Sequence, residues 1–262
     1  MYINPDLEQN LFKGTSKYYS QYRFSYIKEM IDDILKIVKV EQNDRLLDLA
    51  CGPGRLSIPL SKYFKEVYAI DWEKEMIDEG ERISNELGIE NIKWMSGKAE
   101  ELNIKPNFIN LITIGDAFHR MDQLKILQNS YKMLKKRGHL ALIYSGTIDN
   151  GITVWQKELK KVISSWKKEN IQNTANSKQP WDLFLKETNY VNVIFKEYEK
   201  NITVNIEKII GYLYSMSVYN KNIIGDKYQL FEKEIKEKLL EIEPKNIFEF
   251  NFKCGFYIGE KE

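Results

Sequence analysis

Short apolar runs alternate with segments of helical periodicity along most of the chain. The apolar runs predict strands, and apolar positions spaced three and four residues apart predict amphipathic helices. The predicted strands cover 45–49, 67–70, 92–95, 108–114, 138–144, 190–199 and 246–258. The predicted helices cover 16–38, 55–64, 73–87, 122–134, 205–217 and 227–241. This alternation is typical of parallel βαβ units, so we expect an α/β fold with a doubly wound, mostly parallel seven-stranded sheet and helices on both faces.

We expect a single domain over residues 1–262 that is built from four parts. These are an N-terminal lid helix (1–40), a ligand-binding core (41–146), a helical cap insertion (147–190) and the C-terminal part of the sheet (191–262). The insertion contains three tryptophans and the polar stretch ENIQNTANSKQP at 169–180, which we expect to be a mobile loop over the crevice.

Composition excludes several classes of protein. The 262 residues are 43% hydrophobic and 29% charged, which is ordinary for a soluble globular protein. A net charge of +1 argues against a nucleic-acid backbone as the main partner. Two cysteines, Cys51 and Cys254, favour a reducing compartment. With neither a signal peptide nor an apolar run of roughly 20 residues, we expect a cytoplasmic protein that does not cross a membrane.

The segment LLDLACGPG carries the first chemical signal. A strand leads into Gly52 and Gly54, where missing side chains let the backbone approach a ligand closely. Asp71 ends the next predicted strand, and a carboxylate there can accept both hydroxyls of a ribose. Together the two features predict a ligand that contains a nucleoside.

Two residues of the same segment distinguish between nucleoside ligands. Asp48 lies just before the glycines, where it would repel a pyrophosphate. The third glycine of a dinucleotide-binding turn would fall at Ser57. An adenosine joined to a cationic amino acid fits better, because Asp48 can favour an ammonium group directly or through water.

Four segments in order, LLDLACGPG, AIDWEKEM, GKAEEL and INLITIGDAFHRMD, resemble the successive motifs of class I S-adenosylmethionine-dependent methyltransferases. More narrowly, they are similar to the small-molecule branch that includes relatives of trans-aconitate methyltransferase. The resemblance covers residues 16–146 and continues more weakly through EKIIGYLYSMS at 207–217 and the last strand. It implies a Rossmann-like fold, S-adenosyl-L-methionine as cofactor and S-adenosyl-L-homocysteine as product.

The resemblance assigns residues to the methionine end of the cofactor. It implies that the backbone of the glycine turn contacts the methionine, with Gly115 and Asp116 near its amino group. The turn residues concerned are Ala50, Gly52 and Gly54. The run YYSQYRFSY resembles a Tyr-x-x-x-Arg motif, which implies that Tyr19 and Arg23 contact the cofactor carboxylate.

At the adenosine end, the resemblance implies that Asp71 holds the ribose and that Trp72 and Met76 flank the adenine. A further loop reads the adenine edge, and its residues are Lys98, Ala99 and Glu100. The sequence departs from the family pattern at four positions, where a glycine, two acids and an aromatic residue are usual. These positions are Ala50, Lys98, Asn110 and Arg120.

His119 is the titratable base expected at the crevice, whereas His139 lies near the start of the fifth strand. An imidazole can take a proton from an acceptor hydroxyl or amine near neutral pH. The alternative is that His119 only lines the pocket, since methyl transfer can proceed by alignment alone when the nucleophile is neutral or anionic. No His/Cys cluster has the spacing of a metal site.

We therefore expect an enzyme that transfers a methyl group from S-adenosylmethionine to an O, N or C atom of a small-molecule acceptor. One alternative is a nicotinamide-dependent dehydrogenase with a degenerate turn, against which Asp48 argues. A second is a nucleic-acid methyltransferase, but GDAFHR stands where an Asn/Asp-Pro-Pro-aromatic motif would be expected. A third is a regulator that binds the cofactor without catalysis.

Overall fold

The computed structural model describes residues 11–149, 151–167 and 181–262. Its strands are β1 Arg45–Leu49, β2 Glu66–Asp71, β3 Ile92–Ser96, β4 Ile109–Gly115, β5 Leu134–Ser145, β6 Tyr190–Val204 and β7 Phe248–Lys261. They form one sheet in the order β3-β2-β1-β4-β5-β7-β6. Neighbouring strands from β3 to β5 in this order pair in parallel, and β7 pairs antiparallel with β5. The predicted seven-stranded, mostly parallel, doubly wound sheet is confirmed.

The α-helices follow the strands closely along the sequence. They are α1 Ser16–Tyr22, α2 Lys28–Val38, α3 Ser57–Leu60, α4 Lys74–Glu86, α5 Gln123–Met133, α6 Val154–Ser165, α7 Trp181–Glu187, α8 Ile206–Tyr214, α9 Lys221–Ile224 and α10 Tyr228–Ile242. Several helices begin at an Asn, Asp or Thr whose side chain accepts a backbone N–H three residues on. Asp122, Thr153, Asn205 and Asn220 cap α5, α6, α8 and α9 in this way.

The prediction of one helix over residues 16–38 is wrong. The helix breaks into α1 and α2, and both Arg23 and Ile27 between them have extended backbone. Phe24 packs against Tyr212, whereas the Tyr26 hydroxyl donates to Asp116. These different partners hold the intervening segment in an extended path, overriding a helical periodicity that is only a local preference.

Other boundaries shift by a few residues. The helix predicted over 55–64 is α3 followed by a 3₁₀ turn at Ser61–Tyr63. Strand β5 begins at Leu134, four residues before its predicted start, with a register irregularity between Ile109 and Leu111 of β4. The strand starts at the fully buried Leu134, but the polar residues 135–137 that follow it interrupt the apolar run, so the sequence predicted a later start.

The centre of the sheet is the core. In β1, β4 and β5 the apolar side chains are almost completely buried on both faces, as expected where helices cover both sides of a parallel sheet. Within β1, Asp48 is as buried as its apolar neighbours, with 1% of its surface exposed, although its side chain is a carboxylate. A carboxylate at that depth needs hydrogen-bond partners, because an unpaired buried charge is costly.

The chain packs as two compact units. The first comprises Met1–Phe24, Gly146–Asn173 and Glu199–Lys253, as far as these ranges are described, and within it α1 packs on α8 and α6 on α10. The second comprises the described parts of Ser25–Ser145, Thr174–Tyr198 and Cys254–Glu262, and it contains β1 to β5. The predicted lid helix (1–40) is thus divided, because α1 belongs to the first unit and α2 to the second, while nearly all of the predicted core belongs to the second. The four-part division of a single domain stays a prediction.

The predicted loop at 169–180 lies outside the described residues, as does part of the predicted cap. Of the three tryptophans of the cap, Trp155 packs against Phe248 and Trp166 against Phe231 in the first unit. Trp181 begins α7 in the second unit, where its ring meets Phe118 edge-on. Across the described ranges, no helix has both the length and the apolar composition to span a membrane.

Candidate active site

The turn after β1 adopts a backbone that few side chains tolerate. Ala50, Gly52 and Gly54 all have positive φ angles, of 53°, 55° and 89°. A Cβ on Gly54 would lie 2.6 Å from the Trp94 ring. Ala50 occupies the left-handed region with a side chain present, which costs about 1 kcal/mol or more. This turn lies at the carboxyl end of β1, where the sequence predicted a close approach to a ligand, and Ala50 and Gly52 in it are partly exposed whereas Gly54 is buried.

Asp71 joins this turn to the end of β2. Its carboxylate accepts the Gly52 N–H at 2.8 Å through Oδ2 and the Glu73 N–H at 2.9 Å through Oδ1. Burial raises the pKa of Asp71, and the backbone hydrogen bonds partly offset that effect. Each carboxylate oxygen has two lone pairs, so acceptor capacity remains for ligand hydroxyls. The structure thus brings Gly52 and Asp71 together, as the sequence indicated.

Asp48 lies beneath the turn, surrounded by protein. It accepts the Ser57 N–H at 3.1 Å, the Ser57 hydroxyl at 2.5 Å and the Thr113 hydroxyl at 2.8 Å. Burial raises its pKa to about 6, against the opposing effect of these hydrogen bonds. With 1% of its surface exposed, the Asp48 carboxylate is not open to direct contact with an ammonium group in this conformation. Asp48 is therefore a support of the turn, and an effect of its charge on a cofactor stays a prediction.

The predicted adenine-binding residues differ in exposure. The Trp72 side chain is 38% exposed, and the Lys98 ammonium lies 5.0 Å from its ring centroid. Met76, by contrast, is only 3% exposed on α4. Ala99 is buried in a short 3₁₀ helix, and Glu100 accepts the Asp122 N–H at 3.2 Å. The Trp72 ring is therefore partly exposed, with Lys98 over one face, whereas Met76 lies in the interior.

A cluster of hydrogen bonds at the end of β4 was missed by the sequence reasoning. We call Tyr26, Arg55, Asp116 and Ser145 the Asp116 cluster. The Asp116 carboxylate accepts from the Tyr26 hydroxyl at 3.0 Å, from Arg55 Nη1 at 2.9 Å, and from the N–H and hydroxyl of Ser145 at 2.6 Å each. Gly115 leaves room for this arrangement, since a Cβ there would lie 2.6 Å from the Tyr26 hydroxyl.

The Asp116 cluster bears on the expectation that Asp116 lies near the cofactor amino group. Four donors already surround the carboxylate that the resemblance placed near the cofactor amino group. Any contact with that amino group adds to these bonds or replaces one of them. Arg55, directly after Gly54, is the one sequence signal that could have indicated a charged partner.

His119 lies in a short 3₁₀ helix, Phe118–Arg120, that follows β4. Phe118 is fully buried and anchors this turn. Burial and the nearby Arg120 guanidinium lower the pKa of His119 to about 4, while the Asp116 carboxylate acts in the opposite direction. At neutral pH the imidazole is uncharged and can accept a proton, which both the base and the pocket-lining interpretations allow.

Tyr19 and Arg23 belong to the first unit. The Arg23 guanidinium lies between two rings, 4.9 Å from the Tyr19 centroid and 4.6 Å from that of Tyr212. It also donates to the Tyr212 hydroxyl at 3.0 Å and to the Ser215 carbonyl at 3.4 Å. The predicted contact of this pair with the cofactor carboxylate stays a prediction.

The residues fit an uncharged nucleoside better than a metal or a pyrophosphate. No cluster of His, Cys, Asp and Glu able to hold a metal ion occurs in the part of the chain that the structure describes. The Ser57 N–H at the start of α3, where a pyrophosphate would bind in a dinucleotide fold, already donates to Asp48. A strand-end carboxylate beside a glycine turn remains, and this defines an α/β protein that binds a nucleoside cofactor.

The family described as "Methyltransferase domain" matches residues 40–209, well over half of the chain, and the chain belongs to it. The resemblance to class I S-adenosylmethionine-dependent methyltransferases is thereby confirmed, and S-adenosylmethionine is the cofactor of that class. The narrower similarity to trans-aconitate methyltransferase relatives stays an expectation.

Two curated relatives align with part of the chain. A Saccharomyces cerevisiae protein, named as the probable S-adenosylmethionine-dependent methyltransferase CRG1, is 27% identical over 53% of this chain and 46% of its own length. YcgJ of Bacillus subtilis, named as an uncharacterized methyltransferase, is 28% identical over 42% of this chain and 44% of its own length. The chain thus spans about half the length of these relatives.

Solved structures share the fold. The crystal structure of YcgJ matches with a TM-score of 0.57 at 17% identity, covering 90% of this chain and 99% of YcgJ. A Haemonchus contortus phosphoethanolamine N-methyltransferase 2, solved with phosphomonomethylethanolamine and S-adenosylhomocysteine, matches with a TM-score of 0.55 at 14% identity. That match covers 97% of this chain and 56% of the Haemonchus chain. These likenesses show the Rossmann-like methyltransferase fold.

Proposed function

We propose that this chain transfers a methyl group from S-adenosylmethionine to an O, N or C atom of a small-molecule acceptor. The observation that supports the proposal is the Asp71 carboxylate at the end of β2, which accepts the Gly52 N–H at 2.8 Å and so lies beside the glycine turn as a candidate acceptor for ribose hydroxyls. S-adenosylmethionine supplies an electrophilic methyl group on a sulfonium. The chain's own residues bind it, align it with the acceptor and exclude water.

Each group of residues has a proposed role. Asp71 accepts the ribose hydroxyls, and Trp72 offers its exposed face to the adenine. The glycine turn presents backbone to the amino-acid end of the cofactor. His119, uncharged at neutral pH, either takes the proton released by an acceptor hydroxyl or amine, or lines the acceptor pocket.

A small-molecule acceptor is supported by two considerations. The net charge of +1 offers little attraction to a nucleic-acid backbone. The Haemonchus protein with a similar fold was solved in complex with a small molecule, phosphomonomethylethanolamine, and with S-adenosylhomocysteine. A cytoplasmic location stays an expectation from the sequence.

Isothermal titration calorimetry tests the proposal. We expect S-adenosylmethionine and S-adenosylhomocysteine to bind, and NAD and NADP to give no heat, because Asp48 occupies the donor that a pyrophosphate needs. Binding of NAD without binding of either sulfur compound would point instead to the dehydrogenase alternative. Incubation with methyl-labelled cofactor and a metabolite extract then identifies the acceptor by the label it gains.

A further inference from the structure

The Asp116 cluster links two loops that the proposed reaction uses separately. Arg55 directly follows Gly54 of the glycine turn, and Asp116 is the first residue of the loop that carries His119. Their side chains meet at 2.9 Å, with only 12% and 18% of their surfaces exposed. A pair so shielded from water is screened less than a surface ion pair. The donor side and the acceptor side of the site are therefore joined by one side-chain contact.

Arg55 is itself held in a fixed position. Its guanidinium lies 4.2 Å from the centroid of the Tyr26 ring, and the Tyr26 hydroxyl donates to the same carboxylate oxygen as Arg55 Nη1. A guanidinium that stacks on a ring and donates to a carboxylate keeps little rotational freedom. Arg55 thus transmits a displacement of the turn backbone to Asp116 and does not absorb it.

Asp116 is held in a conformation that it would otherwise rarely adopt. Its φ angle is +55°, a left-handed conformation that costs a non-glycine residue about 1 kcal/mol or more. Such conformations persist where the surrounding contacts over-determine them. Here the carboxylate bonds of the cluster do so, together with the bond from the Asp116 N–H to the Ile143 carbonyl at 2.9 Å.

We propose that Arg55 is a positioning residue that couples the glycine turn to the loop formed by residues 116–120. The inference rests on the proposed function and deepens it. Opening of the loop requires Asp116 to release Arg55, and a cofactor bound to the turn holds Arg55 in place. Occupation of the turn therefore makes opening of the His119 loop rarer, and by linkage an ordered loop favours the cofactor. The acceptor side is thus ordered once the donor is bound.

Hydrogen exchange followed by mass spectrometry tests this coupling with S-adenosylhomocysteine as the probe. The Asp116 and Arg120 amides donate to backbone carbonyls, so their exchange reports opening of the loop. In the parent protein we expect a saturating probe to slow exchange in peptides covering 115–121 at least about fivefold. In Arg55→Met this slowing should disappear, while the dissociation constant for the probe changes less than about threefold.

Arg45→Met is the matched control. Arg45 also pairs with a carboxylate, Glu66 at 2.8 Å, and also lies over a ring, that of Phe108 at 4.4 Å. It stands at the opposite end of β1, away from the turn. Arg45→Met should keep the full effect of the probe on residues 115–121. A general loss of stability would instead affect both variants alike.

Three results would overturn the inference. Slowing that persists in Arg55→Met shows that the loop is ordered by another route. A dissociation constant raised more than about tenfold in Arg55→Met shows that Arg55 is itself a ligand of the cofactor. Failure of the parent to bind the probe, seen by calorimetry before any exchange experiment, removes the proposed function and this inference together. Arg55→Lys, which keeps the charge but not the planar fork, should retain part of the coupling and serves if Arg55→Met does not fold.

Discussion

Three aspartates stand near the carboxyl end of the sheet, and their hydrogen-bond partners separate their roles. Asp48 is buried below the glycine turn and bonded to Ser57 and Thr113. Asp71 bridges the turn and the end of β2 through backbone N–H groups. Asp116 is surrounded by side-chain donors that include a guanidinium. Of the three, Asp71 accepts hydrogen bonds from backbone N–H groups and not from side chains, which supports its proposed role as the ribose acceptor.

The role of Asp71 is tested by Asp71→Ala. The change removes the proposed ribose acceptor and also releases the Gly52 N–H, so we expect a loss of about 2–4 kcal/mol in affinity for S-adenosylhomocysteine. That loss corresponds to a rise of roughly 30- to 1,000-fold in the dissociation constant measured by calorimetry. Asp78→Ala, which removes an exposed carboxylate paired with Lys74 on α4, is the control and should bind as the parent does. Equal affinity in all three proteins would mean that the ribose is held elsewhere.

The low pKa of His119 sets the pH dependence of any reaction that uses it as a base. The uncharged form is the base, and it predominates above the pKa of about 4. We therefore expect kcat/KM to rise with pH through about 4 and to be flat from about pH 5.5 through neutrality. An NMR titration of the imidazoles, assigned with His119→Asn, gives this pKa without an acceptor. A midpoint near the ordinary value of 6.5 would contradict the burial argument.

Kinetics of two variants then separate the interpretations of His119. If His119 is a general base, His119→Ala should lower kcat by roughly 10²- to 10⁴-fold with little change in cofactor affinity. If it only shapes the pocket, His119→Asn should keep most of kcat and mainly raise the acceptor KM. An unchanged kcat in both variants would leave alignment of donor and acceptor as the whole catalytic contribution.

At the scale of elements, the turn between β1 and α3 has an unusual backbone in which Ala50 is the strained residue, as Asp116 is in the loop after β4. Every second residue of this turn has a positive φ angle, namely Ala50, Gly52 and Gly54. The peptide groups of the turn are therefore oriented differently from those of a regular helix or strand. The Trp94 ring lies against both Gly54 and Gly80 and supports the turn from below, with its N–H donating to Ser84. The element is thus fixed by packing under it and by Asp71 beside it.

Ala50→Gly tests the strain in this turn. Glycine adopts a φ of 53° without the Cβ penalty, so the free energy of unfolding from urea denaturation should rise by about 0.5–1 kcal/mol. Ala141→Gly, in the fully buried middle of β5, is the control of opposite sign and should be destabilised. A decrease in stability for Ala50→Gly would show that the Ala50 methyl group packs more favourably than its backbone is strained.

At the scale of the whole molecule, two buried ionisable groups, His119 and Asp48, change the free energy of unfolding in opposite directions as the pH falls. His119 has a folded-state pKa of about 4, below its ordinary 6.5, so the unfolded chain binds its proton first as the pH falls. This contribution to stability is complete above pH 6.5 and is lost between pH 6.5 and 4. Asp48 has a raised pKa of about 6, so its contribution changes in the opposite direction over much of the same range.

A comparison of parent and His119→Asn isolates the histidine, because Asp48 is common to both. Relative to the variant, the parent should lose about 3 kcal/mol in the free energy of unfolding between pH 7 and pH 4, as the linkage of a shift of this size requires. Urea denaturation at several pH values gives the difference. Parallel curves for the two proteins would show that His119 titrates normally in the folded state.

The sequence by itself determined the parts of this protein that depend on short-range patterns. Apolar runs of four to seven residues predicted β1 to β4 within one residue of their observed ends, most clearly for β1 and β4, because a strand buried on both faces leaves a nearly continuous hydrophobic signature. The spacing between the glycine turn and Asp71 predicted that the two would meet in a candidate cofactor site, and they do meet, because both lie at ends of adjacent parallel strands. These features can be predicted from local backbone geometry together with the rule that the carboxyl ends of parallel strands lie at the same edge of a sheet.

Tertiary structure alone decided the contacts between residues far apart in sequence. Arg55 and Asp116 are 61 residues apart, and no periodicity or motif spacing pairs them. The break between α1 and α2 follows from partners that Phe24 and Tyr26 meet only in the folded chain. The pKa of His119 depends on burial and on Arg120 and Asp116 around it, and a charge is destabilised only where the fold removes water from it.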